Sequence, residues 1–114
     1  MVNNMKYSLT NDAESDLHEI LFYFSKKEKK LVKKFDEDFK STCKMLSNMP
    51  GMASIITDDM QNTSPFLKGV RKWQMKIFKQ YTIFYKIEND CKILIVRIVS
   101  SKRDLPNLFL KWDI

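Results

Sequence analysis

Glycine is scarce in this 114-residue chain: it has two, with three prolines, two cysteines and one histidine. Each shortage excludes something. Few glycines and prolines leave few places for irregular backbone, so long regular elements are expected. Cys43 and Cys91 lie far apart among apolar neighbours, and neither they nor His18 have partners at metal-binding spacing, so no zinc or other metal site is expected. The two cysteines are open to a disulfide or to two buried thiols, and a reducing compartment favours the thiols. Long hydrophobic runs are missing as well. None approaches the roughly 20 residues that span a bilayer, and the opening MVNNMKYSL has no apolar stretch of signal-peptide length. The expectation is a cytoplasmic protein without a membrane partner.

What is present suits a packed core. Hydrophobic residues make up 44% of the chain, including eight Phe and two Trp, and a chain this long supports one domain over residues 1–114. The net charge of +6 is unevenly spread. Residues 1–65 carry nine basic and ten acidic groups, while residues 66–103 carry ten basic and two acidic groups. So one-sided a field suits an anionic partner, although a solvated lysine-rich surface gives the same count.

Periodicity divides the chain. Lys6–Leu9 reads as a short strand. Asn11 reads as a helix N-cap with Glu14 as its capping-box partner. Ala13, Leu17, Ile20, Leu21 and Phe24 then form one apolar stripe to about Ser25, with Asp16 and Glu19 off it. After KKEKK at 26–30, Leu31, Phe35, Phe39, Cys43 and Leu46 form a second stripe that Pro50–Gly51 stops. Two amphipathic helices with a short connection read as an antiparallel hairpin. Residues 52–68 read as a loop. From Val70 the period becomes two, with Trp73, Met75 and Ile77 inward and Lys72, Gln74 and Lys76 outward. A bend at 78–80, a strand at 81–87, a turn at 88–90 and a last strand at 92–99 complete a meander. DLPNLF then suggests a helical turn. The fold class is α+β: an antiparallel helical hairpin on a small, mostly antiparallel sheet, in the order β-α-α-β-β-β. Basic residues are expected on the sheet's opposite face or edge.

The last strand, ILIVRIV, places an arginine among aliphatics. Alternation assigns Leu94, Val96 and Ile98 to the helix-packed core and puts Ile93, Ile95, Arg97 and Val99 on the other face. In a partly dry position Arg97 either grips an outside carboxylate or phosphate, or pairs with an acid of its own chain. Arg103–Asp104 is open to the same alternatives, a binding role or a turn-fixing pair.

Three segments in order carry a resemblance: LTNDAESDLHEILFYF, GVRKWQMKIFKQYTIFYKI and ILIVRIVSSKRDLPNLF. Over residues 7–109 the chain resembles the ParE branch of the ParE/RelE toxin superfamily. That resemblance implies the β-α-α-β-β-β fold and a toxin of a type II toxin–antitoxin pair, of the kind used in plasmid stabilisation. It implies a cognate antitoxin that wraps the hairpin and sheet, and DNA gyrase as the target. DNA would be engaged only through antitoxin or gyrase, and no cofactor or small-molecule substrate is implied. RelE-like relatives instead cut messenger RNA in the ribosome, with strand Lys and Arg residues and a C-terminal Tyr.

In this chain Phe109 stands where that Tyr is expected and cannot transfer a proton. Thr82 stands where the RNA-cutting relatives place an Arg, and only Arg103 matches well. The RNA-cutting set is incomplete, so no catalytic residue is assigned and a binding protein is the leading expectation. The alternatives are a RelE-like ribonuclease and a non-toxic relative that binds only antitoxin or nucleic acid. Target-binding candidates are Arg71, Lys72, Trp73, Lys76, Tyr81, Tyr85, Arg97, Lys102 and Arg103, since aromatic and Arg contacts dominate interface energies. Core packing is the alternative for the aromatics. Leu21, Phe24, Phe35 and Phe39 are candidates for an antitoxin-binding groove, an idea that fails if the sheet buries them all. His18 is expected at the surface.

Overall fold

The computed structural model describes residues 6–89 and 92–101. Strand β1 (Lys6–Leu9) leads into helices α1 (Asn11–Lys27) and α2 (Lys29–Asn48), joined by Glu28 alone. A two-residue strand β2 (Ser54–Ile55) and a single helical turn α3 (Asp58–Gln61) precede β3 (Arg71–Gln74), β4 (Tyr81–Asn89) and β5 (Lys92–Ser100). The sheet order is β1-β5-β4-β3-β2, with β1 parallel to β5 and the other pairs antiparallel. The expected order β-α-α-β-β-β holds, with β2 added at the edge.

The N-cap of α1 is Thr10, one residue before the expected Asn11. Its hydroxyl accepts from the Ala13 N–H at 3.0 Å and donates to the Val96 carbonyl at 2.8 Å, so one side chain caps the helix and ties it to β5. Phe24 and Phe35 face each other across the hairpin and meet Phe78 from the β3–β4 turn and Tyr81 from the sheet, with ring centroids 5.1–6.1 Å apart. Tilted and edge-on aromatic packing of this kind adds to the burial itself. Phe39, Cys43, Leu46, Ile83, Tyr85, Ile93, Ile95 and Ile98 extend the same core.

The facing of β5 corrects the alternation reading. Ile93, Ile95 and Ile98 pack under the helices, whereas Val96 and Val99 lie in a second cluster. The reason is a bulge. Tyr85 pairs with Ile95 and Phe84 with Arg97, leaving Val96 as the extra residue that resets the alternation.

The second face is not an open basic surface. Residues of the expected loop, with Val70 just before β3, cover it: Ile56, Leu67 and Val70 bury Phe84, Val96 and Val99, with Met60 and Phe66 at the margin. Gly69, at φ 78°, turns this segment into β3, a conformation that costs a residue with a Cβ. Lys86 lies over the Phe66 ring at 4.5 Å and donates to its carbonyl at 2.7 Å, so this base fastens the cover.

The strand expected to reach Ile77 ends at Gln74. Met75 bonds the Tyr81 carbonyl at 2.9 Å, and Ile77 is 68% exposed rather than inward. The expected turn at 88–90 includes Asp90, which with Cys91 and the helical turn expected at DLPNLF lies outside the described residues.

Candidate protein-binding surfaces

Each helix of the hairpin contributes one buried aspartate to the sheet. Asp16 accepts from Arg97 Nε at 2.7 Å, Arg97 Nη2 at 2.8 Å and the Ile98 N–H at 3.0 Å. The side chains are 10% and 12% exposed, respectively. The paired residues of β1 end opposite Ile95, so this carboxylate satisfies the stretch of β5 that β1 leaves uncovered. Burial alone would lower the Arg97 pKa. The hydrogen bond and negative charge of Asp16 outweigh it, and the net shift is upward. Of the two alternatives for Arg97, the structure shows the internal pair.

On α2, the Asp38 carboxylate accepts from the backbone N–H groups of Ile77 at 3.1 Å and Phe78 at 2.9 Å, pinning the β3–β4 turn. The reading that set Asp16 off the α1 stripe is corrected: Asp16 follows Ala13 by three residues and precedes Ile20 by four, and is buried with them, just as Asp38 is buried between Phe35 and Thr42 on α2.

The remaining target-binding candidates are dispersed. Tyr81 and Tyr85 lie in the helix-side core, which removes them as anchors on an exposed face. The Tyr85 hydroxyl donates to the Pro50 carbonyl at 2.6 Å, and burial raises its pKa against the opposing Arg71 charge. Arg71 donates to the Ala53 carbonyl at 2.6 Å, so it too secures the turn after α2. Lys72 is exposed opposite Ser54 and Phe84. Thr82 is half-buried in β4. Lys102 and Arg103, like Phe109, lie outside the described residues.

The four hairpin-groove candidates divide. Phe24, Phe35 and Phe39 are buried against the sheet, and Leu21 is only partly accessible at the margin. The exposed aromatics of the hairpin are instead Phe22 and Tyr23, at 63% and 50%. Lys26 lies 5.0 Å over the first ring and Lys27 5.2 Å over the second. The signal was present in the sequence, because both rings fall outside the α1 stripe. His18 is exposed.

Open clefts flank the hairpin among the described residues. One, of about 380 Å³, lies between α1 and the end of β5 and is lined by residues including Asp16, Glu19, Tyr23 and Tyr81. Another, of about 370 Å³, lies between α2 and β3, where Met45 and Trp73 meet Lys76 and Lys79. It brings together two of the expected target-binding residues, Trp73 and Lys76. Among the described residues, no group of three or more His, Cys, Asp or Glu could hold a metal ion, and no helix is long and apolar enough to cross a membrane.

The chain was compared with known proteins. The family model described as the ParE toxin of the type II toxin–antitoxin system, parDE, matches residues 7–105. A solved structure titled "Chromosomal ParDE TA system from P. aeruginosa" superposes with a TM-score of 0.65 at 18% identity, covering 87% of this chain and 98% of that one. No curated protein matches.

Proposed function

This chain belongs to the ParE toxin family of type II toxin–antitoxin systems, and from that premise we propose that it is the toxin of such a pair, acting by binding DNA gyrase and held inactive by a cognate antitoxin. The observation that carries the reading is the family match, which runs from β1 through both helices and every described strand. Action by binding, not RNA cleavage, is favoured by the internal engagement of Arg71 and Arg97 and by the lack of a Tyr at position 109, with Lys72 and Lys76 left as exposed cations. Cleavage of RNA needs a cation free to stabilise the phosphorane and a group to move the 2′-hydroxyl proton. Arg97 instead gives both its Nε and Nη2 to Asp16, Arg71 is turned back onto the Ala53 carbonyl, and Thr82 and Phe109 replace the residues an RNA-cutting relative would use.

A rigid sheet pinned to its helices by two buried carboxylates suits a protein that blocks another by fitting it. The basic excess of residues 66–103 favours association with acidic protein surfaces. Induction of the chain without antitoxin, with DNA and protein synthesis followed in parallel, tests the proposal. Early loss of DNA synthesis with an SOS response is expected, as is inhibition of purified gyrase by the purified chain. Early loss of protein synthesis with mRNA cleavage would replace this reading with the ribonuclease one.

A further inference from the structure

Helix α1 has two unlike faces. Ala13, Ile20 and Phe24 pack one of them into the core. Away from the core stand Asp12, Ser15, Glu19, Phe22 and Lys26, all exposed. They are spaced alternately by three and four residues, so they form one line along the helix, and Tyr23 stands beside it. Acids occupy the N-terminal end of the line and a base the C-terminal end. That segregation suits the helix's own dipole. The dipole does not call for the two rings between the charged ends, where Phe22 is 63% and Tyr23 50% exposed. Lys26 and Lys27 each lie over one ring, at 5.0 and 5.2 Å, which holds two ammonium groups beside the aromatic pair. Tyr23 also lines the cleft beside α1, together with Ile20, Tyr81 and Ile98. The apolar surface therefore runs from the rings into a hollow.

We propose that this face pairs with the same face of a second copy of the chain, the two α1 helices running antiparallel about a two-fold axis between Phe22 and Tyr23. Reversal makes the face complementary to itself. It sets Phe22 against Tyr23 of the second copy at the mouth of the cleft. It sets Glu19 against Lys26 of the second copy, and the symmetry repeats both contacts. It also opposes the two helix dipoles. An anionic partner, whether nucleic acid, lipid or an acidic peptide, would suit the lysine end but meet Asp12 and Glu19 at the other. The helix has 17 residues and is roughly 26 Å long. A contact of that length lies at the low end of specific interfaces, so the association is of the weak, micromolar kind. The inference stands apart from the target and partner proposed above.

Sedimentation equilibrium of the full chain at low salt, from about 1 to about 200 μM, reads the association. Dimer that grows in with concentration is expected. Phe22→Ser should weaken it about tenfold. Glu19→Lys and Lys26→Glu should each weaken it by about fivefold, since each turns two attractive pairs into repulsive ones. These two changes move the net charge in opposite directions, so a general field effect cannot weaken both. An equimolar mixture of the two variants should recover dimer close to the wild-type level, because both cross-pairs are again of opposite sign. Melting curves check the fold, and Glu19→Lys is the variant that also alters the field at Arg97. If it melts early, Phe22→Ser and Lys26→Glu carry the test. A chain that stays monomeric across the range overturns the proposal. So does Phe22→Ser associating like the wild type, or a mixture of folded variants no better than its components.

Discussion

Replacing Asp16 with alanine should destabilise the protein more than almost any other change of a polar residue. Its carboxylate accepts three hydrogen bonds, two from one guanidinium and one from the Ile98 amide. Both partners are close to fully buried, at 10% and 12% exposure, so little solvent replaces what is lost. Breaking a buried pair by deleting one member costs about 3–5 kcal/mol, because a charge is left uncompensated. Asp12 and Glu19 still offset part of the Arg97 charge, and Asp16 borders the open cleft beside α1. The lower half of that range is therefore expected. For a chain of this length, each kcal/mol moves the melting midpoint by roughly 4 °C, so a fall of about 12–16 °C follows. Arg97→Ala should cost a comparable amount, since it leaves the carboxylate with one amide. The double variant should cost at least about 2 kcal/mol less than the sum of the singles, because neither charge is then stranded. Urea unfolding of the four proteins measures this directly. Additive single effects below about 1 kcal/mol would refute the structural role, and Arg97 would again be a candidate for contact with the target. The same cycle guards the toxicity assay, because loss of growth arrest in Arg97→Ala means little until the loss of fold is known.

Asp38→Ala should cost about 2 kcal/mol by leaving two turn amides without their acceptor, with faster amide exchange at Ile77 and Phe78 as the local signature; unchanged exchange there would refute the pinning. Phe35→Ala removes the ring that meets Phe24, Phe78 and Tyr81. It should cost about 3–5 kcal/mol in a denaturant titration, and a loss below about 1 kcal/mol would mean the ring cluster is not the core. Burial raises the Cys43 thiol and the Tyr85 phenol above their ordinary values of 9.0 and 10.0, and burial with the nearby Cys43 raises Tyr7. The unfolded chain then loses these protons first as pH rises. The stability they lend is full below about pH 9 and drains away above it, so a melting midpoint that stays level from about pH 8 to about pH 10.5 would contradict the burial of these groups.

The long elements were legible because periodicity is a local property. The α2 stripe of Phe35, Phe39, Cys43 and Leu46 is buried as its spacing requires, and Pro50–Gly51 stops the helix at Asn48. The candidate site was far less legible. Tyr81 and Tyr85 read equally well as anchors or as core, since a strand pattern says that two faces differ but not which one the helices cover. The cover on the second face was hidden for another reason: Ile56, Leu67 and Val70 are spaced without a period, so only their convergence on Phe84, Val96 and Val99 reveals them as core.

What the amino-acid order determined by itself was the α+β class, the element sequence, the uneven charge and the family. What only the tertiary structure decided was which polar groups are already spoken for. The Val96 bulge set the facing of β5, and with it the chance for Arg97 to meet Asp16, 81 residues away along the chain. Pairing at that separation leaves no mark on local spacing, because the partner is supplied by the path of the fold. A cation in the sequence is a candidate for binding until packing shows whether its partner is already inside the protein.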